Sequence, residues 1–247
     1  TDETGNLSSQ HGLYSLKDHG DPGRRRGTGR GRLVIVEERM RTFINSLDRG
    51  NTPFLEELEK TALEAEVPVI RREMQSFIKT LLALQKPEKI LEVGTAVGFS
   101  TLLMCEYGPE NLHITTIENY EKRIPLAREN FRRAGREEQI TLMEGDAGRI
   151  LGELSGTYDM IFMDAAKGQY IHWLEDVLRL LKPGGILLSD NVLQEGELIQ
   201  SHYLVERRDR TIYKRMREYL YVLKHDTRII TSILPLGDGA ALSVKVN

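Results

Sequence analysis

Ile90-Leu91-Glu92-Val93-Gly94-Thr95-Ala96-Val97-Gly98-Phe99-Ser100 reads as a buried strand, a glycine-containing turn and the start of a helix. Glycines permit such a turn and let a ligand approach the backbone closely. A dinucleotide fingerprint would run G-x-G-x-x-G. Here Ala96 stands where the middle glycine would sit, and Glu92 precedes the turn by two residues. A pyrophosphate seeks backbone N–H groups and the positive end of a helix, and an acid entering the loop would repel it. Glu92 suits a cationic ligand instead.

From this stretch to the C-terminus, β-type runs alternate with helical segments: Lys89–Val93, His113–Glu118, Gln139–Glu144, Tyr158–Asp164, Gly185–Asp190, Arg228–Leu234 and Ala240–Val246. Such alternation predicts an α/β fold, a parallel sheet with helices on both faces. Only Pro235–Gly239 separates the last two runs, too short for a parallel crossover, so one strand near the C-terminus must run antiparallel. Before the first strand, residues 33–84 show helical spacing broken at Asn51-Thr52-Pro53 and Val67-Pro68, which predicts a cap of three helices. Residues 1–32, rich in Gly, Arg, Ser and Asp, read as a disordered arm ahead of a single domain over 33–247.

Composition narrows the class. The chain has 247 residues, 40% of them hydrophobic, which suits one large domain with a sizeable core. No apolar run approaches a membrane span and no secretory leader is visible, so a cytoplasmic protein without membrane partners is expected. The single cysteine, Cys105, excludes an internal disulfide and a cysteine metal site. A net charge of −3 supplies no global attraction to nucleic acid, although local basic patches still can.

Three acids follow strands at their carboxyl ends, where open α/β sheets bind ligands. Glu92 enters the first loop. Glu118 closes the second strand, where a carboxylate can accept ribose hydroxyls. Asp146, with Ala147, follows the third and could bracket an adenine. S-adenosylmethionine (SAM), with its sulfonium and ammonium groups, fits this loop better than NAD does. Farther on, Asp164 and the pair Asp190-Asn191 place three oxygen ligands just past two strands that should be neighbours. Two carboxylates with an amide carbonyl suit a hard cation such as Mg²⁺, with coordination positions left for substrate oxygens. Lys167, three residues beyond Asp164, is a candidate general base for an acceptor hydroxyl. Each residue alone has a plainer reading, as a helix-capping carboxylate or a solvated lysine. Together they are harder to dismiss.

With its E-x-G-x-x-x-G-x-S loop, Asp-x-x-Lys after the fourth strand and Asp-Asn after the fifth, the chain from about Val67 resembles class I SAM-dependent methyltransferases. Within these it is most similar to the metal-dependent catechol and caffeoyl-CoA O-methyltransferase group. The resemblance implies a Rossmann-like sheet of seven strands in the order 3-2-1-4-5-7-6, the seventh antiparallel. It also implies cofactor contacts from Gly94, Gly98, Ser100, Asp164, Val69 and Ile70.

Two features bear on the acceptor. Arg71-Arg72 open a helix beside the expected cofactor, and residues 202–217 carry Arg207, Arg208, Arg210, Lys214, Arg215 and Arg217 with Tyr203 and Tyr213 interleaved. Arginine on phosphates and aromatic rings on unpaired bases are how single-stranded RNA is held. By charge pattern alone, a solvated helix face is the simpler reading. The segments Val67–Arg72, Asp164–Tyr170, Ser189–Leu193, Arg208–Ile212 and Leu236–Ala240 resemble a bacterial branch that includes tRNA 5-hydroxyuridine methyltransferases. That resemblance implies a tRNA anticodon loop as partner, with Tyr170 on the acceptor side, and a homodimer. A small-molecule catechol or caffeoyl-CoA enzyme is the alternative. A non-catalytic SAM- or RNA-binding protein is the alternative of another class.

Overall fold

The computed structural model describes residues 36–199 and 205–246, so the reading of residues 1–32 as an arm lies outside the described residues, as does Tyr203. Three helices come first: α1 (Glu38–Ser46), α2 (Pro53–Glu64) and α3 (Arg72–Gln85). Pro53 sits in the first turn of α2, where its missing N–H costs nothing. The helix α3 ends at Lys86, in left-handed conformation. None of the α1 residues is buried, and Met40, Phe43, Ile44 and Leu47 face outward.

The sheet follows as β1 (Lys89–Val93), β2 (His113–Glu118), β3 (Ile140–Glu144), β4 (Tyr158–Met163), β5 (Leu181–Ser189), β6 (Ile229–Leu234) and β7 (Ala240–Lys245). Between them lie α4 (Phe99–Tyr107), α5 (Ile124–Arg133), α6 (Ala147–Glu153), α7 (Tyr170–Leu180) and α8 (Arg210–His225). The order across the sheet is β3-β2-β1-β4-β5-β7-β6, as expected. The strand β7 pairs antiparallel with both β5 and β6, and the remaining pairs are parallel. The turn between β6 and β7 therefore lies at the carboxyl ends of the parallel strands.

Strand side chains point alternately to the two faces, and both faces are buried. Leu91, Ile161, Met163 and Leu187 pack with α6, α7 and α8. Their neighbours Ile90, Met160, Phe162, Ile186 and Leu188 pack with α2, α3, α4 and α5. This double burial explains why the strands read as continuous apolar runs. The strand β5 begins four residues before the predicted Gly185. Lys182, Pro183 and Gly184 are carried past a register shift between Tyr158 and Met160, an irregularity that lets a strand tolerate such breakers. Among the described residues no helix is long and apolar enough to cross a membrane.

Candidate active site

Hydrogen bonds beyond the strand ends align the loops at the carboxyl edge of the sheet. Gly94 N donates to Ile117 O (3.0 Å), Asp164 N to Val93 O (3.0 Å), Asp190 N to Met163 O (2.9 Å) and Gly145 N to Glu118 O (2.9 Å). Each loop is thus hung on the neighbouring strand. A cavity of about 990 Å³ opens over these loops. Two glycines are obligatory there. Gly94, at φ 106°, has no room for a Cβ because Asp164 O would lie 2.1 Å from it, and at Gly98, φ 85°, the Phe131 ring would lie 2.4 Å away.

Glu118 borders the cavity with its carboxylate fixed by three backbone donors. Ala96 N lies 2.7 Å from Oε2, and Asn119 N and Tyr120 N each lie 2.9 Å from Oε1. Asp146 caps α6 through Arg149 N (2.9 Å) and also borders the cavity, beside Ala147, Gly148 and Trp173. Val69, Ile70 and Ser100 also contribute to the cavity wall.

Glu92 is fully buried behind this wall and does not border the cavity. It accepts hydrogen bonds from Ser100 Oγ (2.6 Å), Thr116 Oγ1 (2.6 Å) and the Thr101 hydroxyl. Burial pushes its carboxyl up to about 7, against the pull of the three hydroxyls. The expectation that Glu92 meets a cationic ligand directly is therefore corrected. It braces the loop and orients Ser100.

Asp164, Asp190 and Asn191 do converge. Asn191 Nδ2 lies 3.3 Å from Asp164 Oδ1, and Asn191 N donates to Asp190 Oδ1 (2.6 Å). Asp190 is buried. Asp164 is half-buried as a whole residue, yet protein encloses its carboxyl closely enough that burial raises it, opposed by Lys167 and Asn191. Burial, and then the charge of Asp164, push Asp190 up to about 8. Two enclosed carboxylates that resist ionising together form a site whose charge a cation would balance. Among the described residues no three His, Cys, Asp or Glu side chains are placed to share a metal, so the candidate donor set is two carboxylates and one amide. That all-oxygen set fits a hard cation, once the Asn191 amide turns its oxygen rather than its nitrogen inward.

Residues 45–246 match the profile of the O-methyltransferase family. This chain belongs to that family. It is 32% identical over 177 residues to a catechol O-methyltransferase of Niastella koreensis, covering 68% of this chain and 78% of that protein. In structure it is similar to a Staphylococcus aureus protein provisionally assigned as a caffeoyl-CoA O-methyltransferase (TM-score 0.78, 31% identity, 84% of this chain and 100% of the other). It is likewise similar to the SAH-bound methyltransferase PaMTH1 of Podospora anserina (TM-score 0.77, 27% identity, 85% and 95%).

In this O-methyltransferase the acceptor-side residues fare unevenly. Arg71 borders the cavity and binds Asp238 (2.8 Å). Arg72 does not: it is turned back into the cap, against Glu56 (2.7 Å) and Glu59 (2.9 Å). Tyr170 is fully buried, and its hydroxyl donates to Met163 O (3.0 Å) and accepts from Ala165 N (3.1 Å). It struts the loop from beneath and cannot touch an acceptor. Tyr213 is also buried, so it offers no stacking face. Arg207 and Arg208 are exposed and away from the cavity, Arg208 beside Glu206 and Asp209.

Arg210 borders a second hollow of about 450 Å³ with His172, Thr211, Lys214, Arg215 and Glu218. His172 borders both spaces, and Arg215 donates to Gly168 O (3.2 Å) next to Lys167. A basic shelf thus adjoins the cavity mouth. Sequence reasoning missed His172, Trp173, Tyr120, Arg123 and Asp238 on the cavity wall. Only Asp238, an acid between two glycines at a strand end, carried a readable signal.

Proposed function

We propose that this chain is a SAM-dependent, divalent-cation-dependent O-methyltransferase acting on a hydroxyl that has a second oxygen beside it. The observation that carries this reading is the convergence of Asp164, Asp190 and Asn191 beside Lys167 at the rim of a cavity otherwise walled by Glu118, Asp146 and the Gly94–Gly98 loop. Glu118, held by three N–H groups at the cavity wall, is the carboxylate that would accept the ribose hydroxyls. Asp146 and Trp173 flank the place for an adenine, while Val69, Ile70 and Ser100 wall the methionine end. SAM would supply a methyl group that the acceptor oxygen takes as the C–S bond breaks, leaving SAH and releasing the hydroxyl proton. A divalent cation held by Asp164, Asp190 and Asn191 would make that hydroxyl more acidic and orient its neighbouring oxygen. Lys167, once its Nζ is the neutral amine, receives the proton and becomes the ammonium.

For the acceptor we favour 5-hydroxyuridine at the tRNA wobble position, with 5-methoxyuridine as product. Its 5-hydroxyl and 4-carbonyl are vicinal oxygens, an anticodon loop presents unpaired bases, and the shelf of Arg210, Lys214 and Arg215 is suited to RNA phosphates. A free catechol is the second reading, favoured by the likeness to the Niastella koreensis enzyme. Mass analysis of nucleosides from cells lacking the protein separates the two. Loss of 5-methoxyuridine with accumulation of 5-hydroxyuridine supports tRNA. Unchanged 5-methoxyuridine, with catechol turnover by the purified protein, supports the small molecule.

A further inference from the structure

Two walls of the cavity that come from opposite ends of the sequence are joined by one ion pair. Arg71 follows Val69 and Ile70 at the entry to α3, and Asp238 sits in the turn between β6 and β7. Arg71 Nη2 lies 2.8 Å from Asp238 Oδ1 and 2.9 Å from Oδ2, with the side chains 37% and 14% exposed. The pair is only partly screened by solvent, so its geometry has consequences.

The same turn holds the loop that carries the candidate cation ligands. Val192 N donates to Gly239 O (2.9 Å) and Leu193 N to Asp238 O (3.0 Å). The contact is tight: a Cβ on Gly239 would lie 2.3 Å from Leu193 Cγ. Asn191, immediately before, holds a left-handed φ of 60°, a conformation asparagine adopts more readily than other non-glycine residues. A continuous chain of contacts therefore runs from Arg71 through Asp238 and Gly239 to Leu193 and Val192, the residues that directly follow Asn191.

We propose that Arg71 and Asp238 are positioning residues that couple the cofactor wall to the cation site. A ligand that orders Val69–Arg71 also orders the turn, and through it the backbone that aims Asn191. Occupancy of one half then strengthens binding at the other, by the reciprocity that holds for any two linked sites. The inference rests on the proposed function, since it takes SAH and a divalent cation as the two ligands.

The test is Mn²⁺ binding to the full chain, followed by the electron paramagnetic resonance of the free ion, with and without saturating SAH. In the wild-type protein SAH should tighten Mn²⁺ binding by about fivefold or more. D238N and R71Q, each at an SAH concentration raised to saturate that variant, should lose that difference, and R71D/D238R should regain part of it. Two single variants at the two ends keep the test open if one of them folds poorly. A wild-type protein that binds both ligands without coupling, or a D238N protein that keeps the coupling, would overturn the positioning role alone. A wild-type protein that binds neither SAH nor Mn²⁺ would overturn the functional reading and this inference with it.

Discussion

The Gly94–Gly98 end of the cavity and the α8 end are built from different materials. The first is backbone and buried side chains: two glycines with no room for a Cβ, a carboxylate held by three amides, and Glu92 sealed beneath. The second is a shelf of long cations on α8, half-buried or exposed, shared with the cavity through His172. A site made of backbone is preorganised and tolerates little change, which suits a ligand common to a whole family. A site made of flexible surface charge can be altered without disturbing the core, so it is where members of a family come to differ. Between them lie Asp164, Asp190 and Asn191, two carboxyl groups and an amide in partly to fully buried positions.

That contrast breaks most sharply at the middle. Asp190→Asn should lower kcat/KM by roughly 10³-fold, because a bound cation's several kcal/mol of charge stabilisation would be forfeited. SAH binding measured by calorimetry should survive, since the backbone-built end is untouched. Lys167→Ala should reduce kcat by about a hundredfold or more, with partial recovery as pH rises and the hydroxyl ionises unaided.

The buried carboxylates also make a stability prediction. The folded chain holds Asp190 at about 8 against an ordinary 3.8, and Glu92 at about 7 against 4.5, so it keeps protons that the unfolded chain releases. The stability this contributes is full below about pH 4 and is lost as pH climbs toward 8. Melting curves in a chelator should show that decline. Mg²⁺ should reverse much of it at pH 8, and Asp190→Asn should melt higher than wild type there, by about 2–4 °C per kcal/mol relieved.

At the α8 end, Arg210→Glu with Lys214→Glu should weaken turnover of an anticodon stem-loop and lower its salt slope by about one per lost phosphate contact. Catechol turnover should hold. Equal losses on both substrates would mean that the shelf supports the fold rather than the RNA. The smallest effect belongs beneath the loops: Tyr170→Phe removes a hydroxyl bridging Met163 O and Ala165 N, and should cost about 1–3 kcal/mol of stability with KM unchanged. A rise in acceptor KM alone would instead return Tyr170 to the acceptor side.

Much of this was legible in one dimension because strands buried on both faces read as apolar runs, and because ligand residues in a doubly wound sheet come directly after them. Lys89–Val93 and His113–Glu118 were read to the residue, and the short Pro235–Gly239 connection forced the antiparallel strand. Glu118, Asp146, Asp164, Asp190 and Asn191 were placed at the cavity by the same logic. What misled was residue type. Tyr170, Arg72 and Tyr213 have the chemistry of acceptor contacts, but a side chain's direction depends on which neighbour satisfies it first. Glu56 and Glu59 claim Arg72, the β4 loop claims the Tyr170 hydroxyl, and the core encloses Tyr213.

The order of the elements, the loops that bear ligands and the chemistry those loops allow follow from the amino-acid pattern, because they depend on local spacing and on the type of each residue. Folding in three dimensions puts Glu92 behind the site rather than in it, makes the basic segment a shelf beside the cavity, and brings Arg71 to Asp238. Each of those depends on contacts between segments far apart in the chain, which no local pattern encodes.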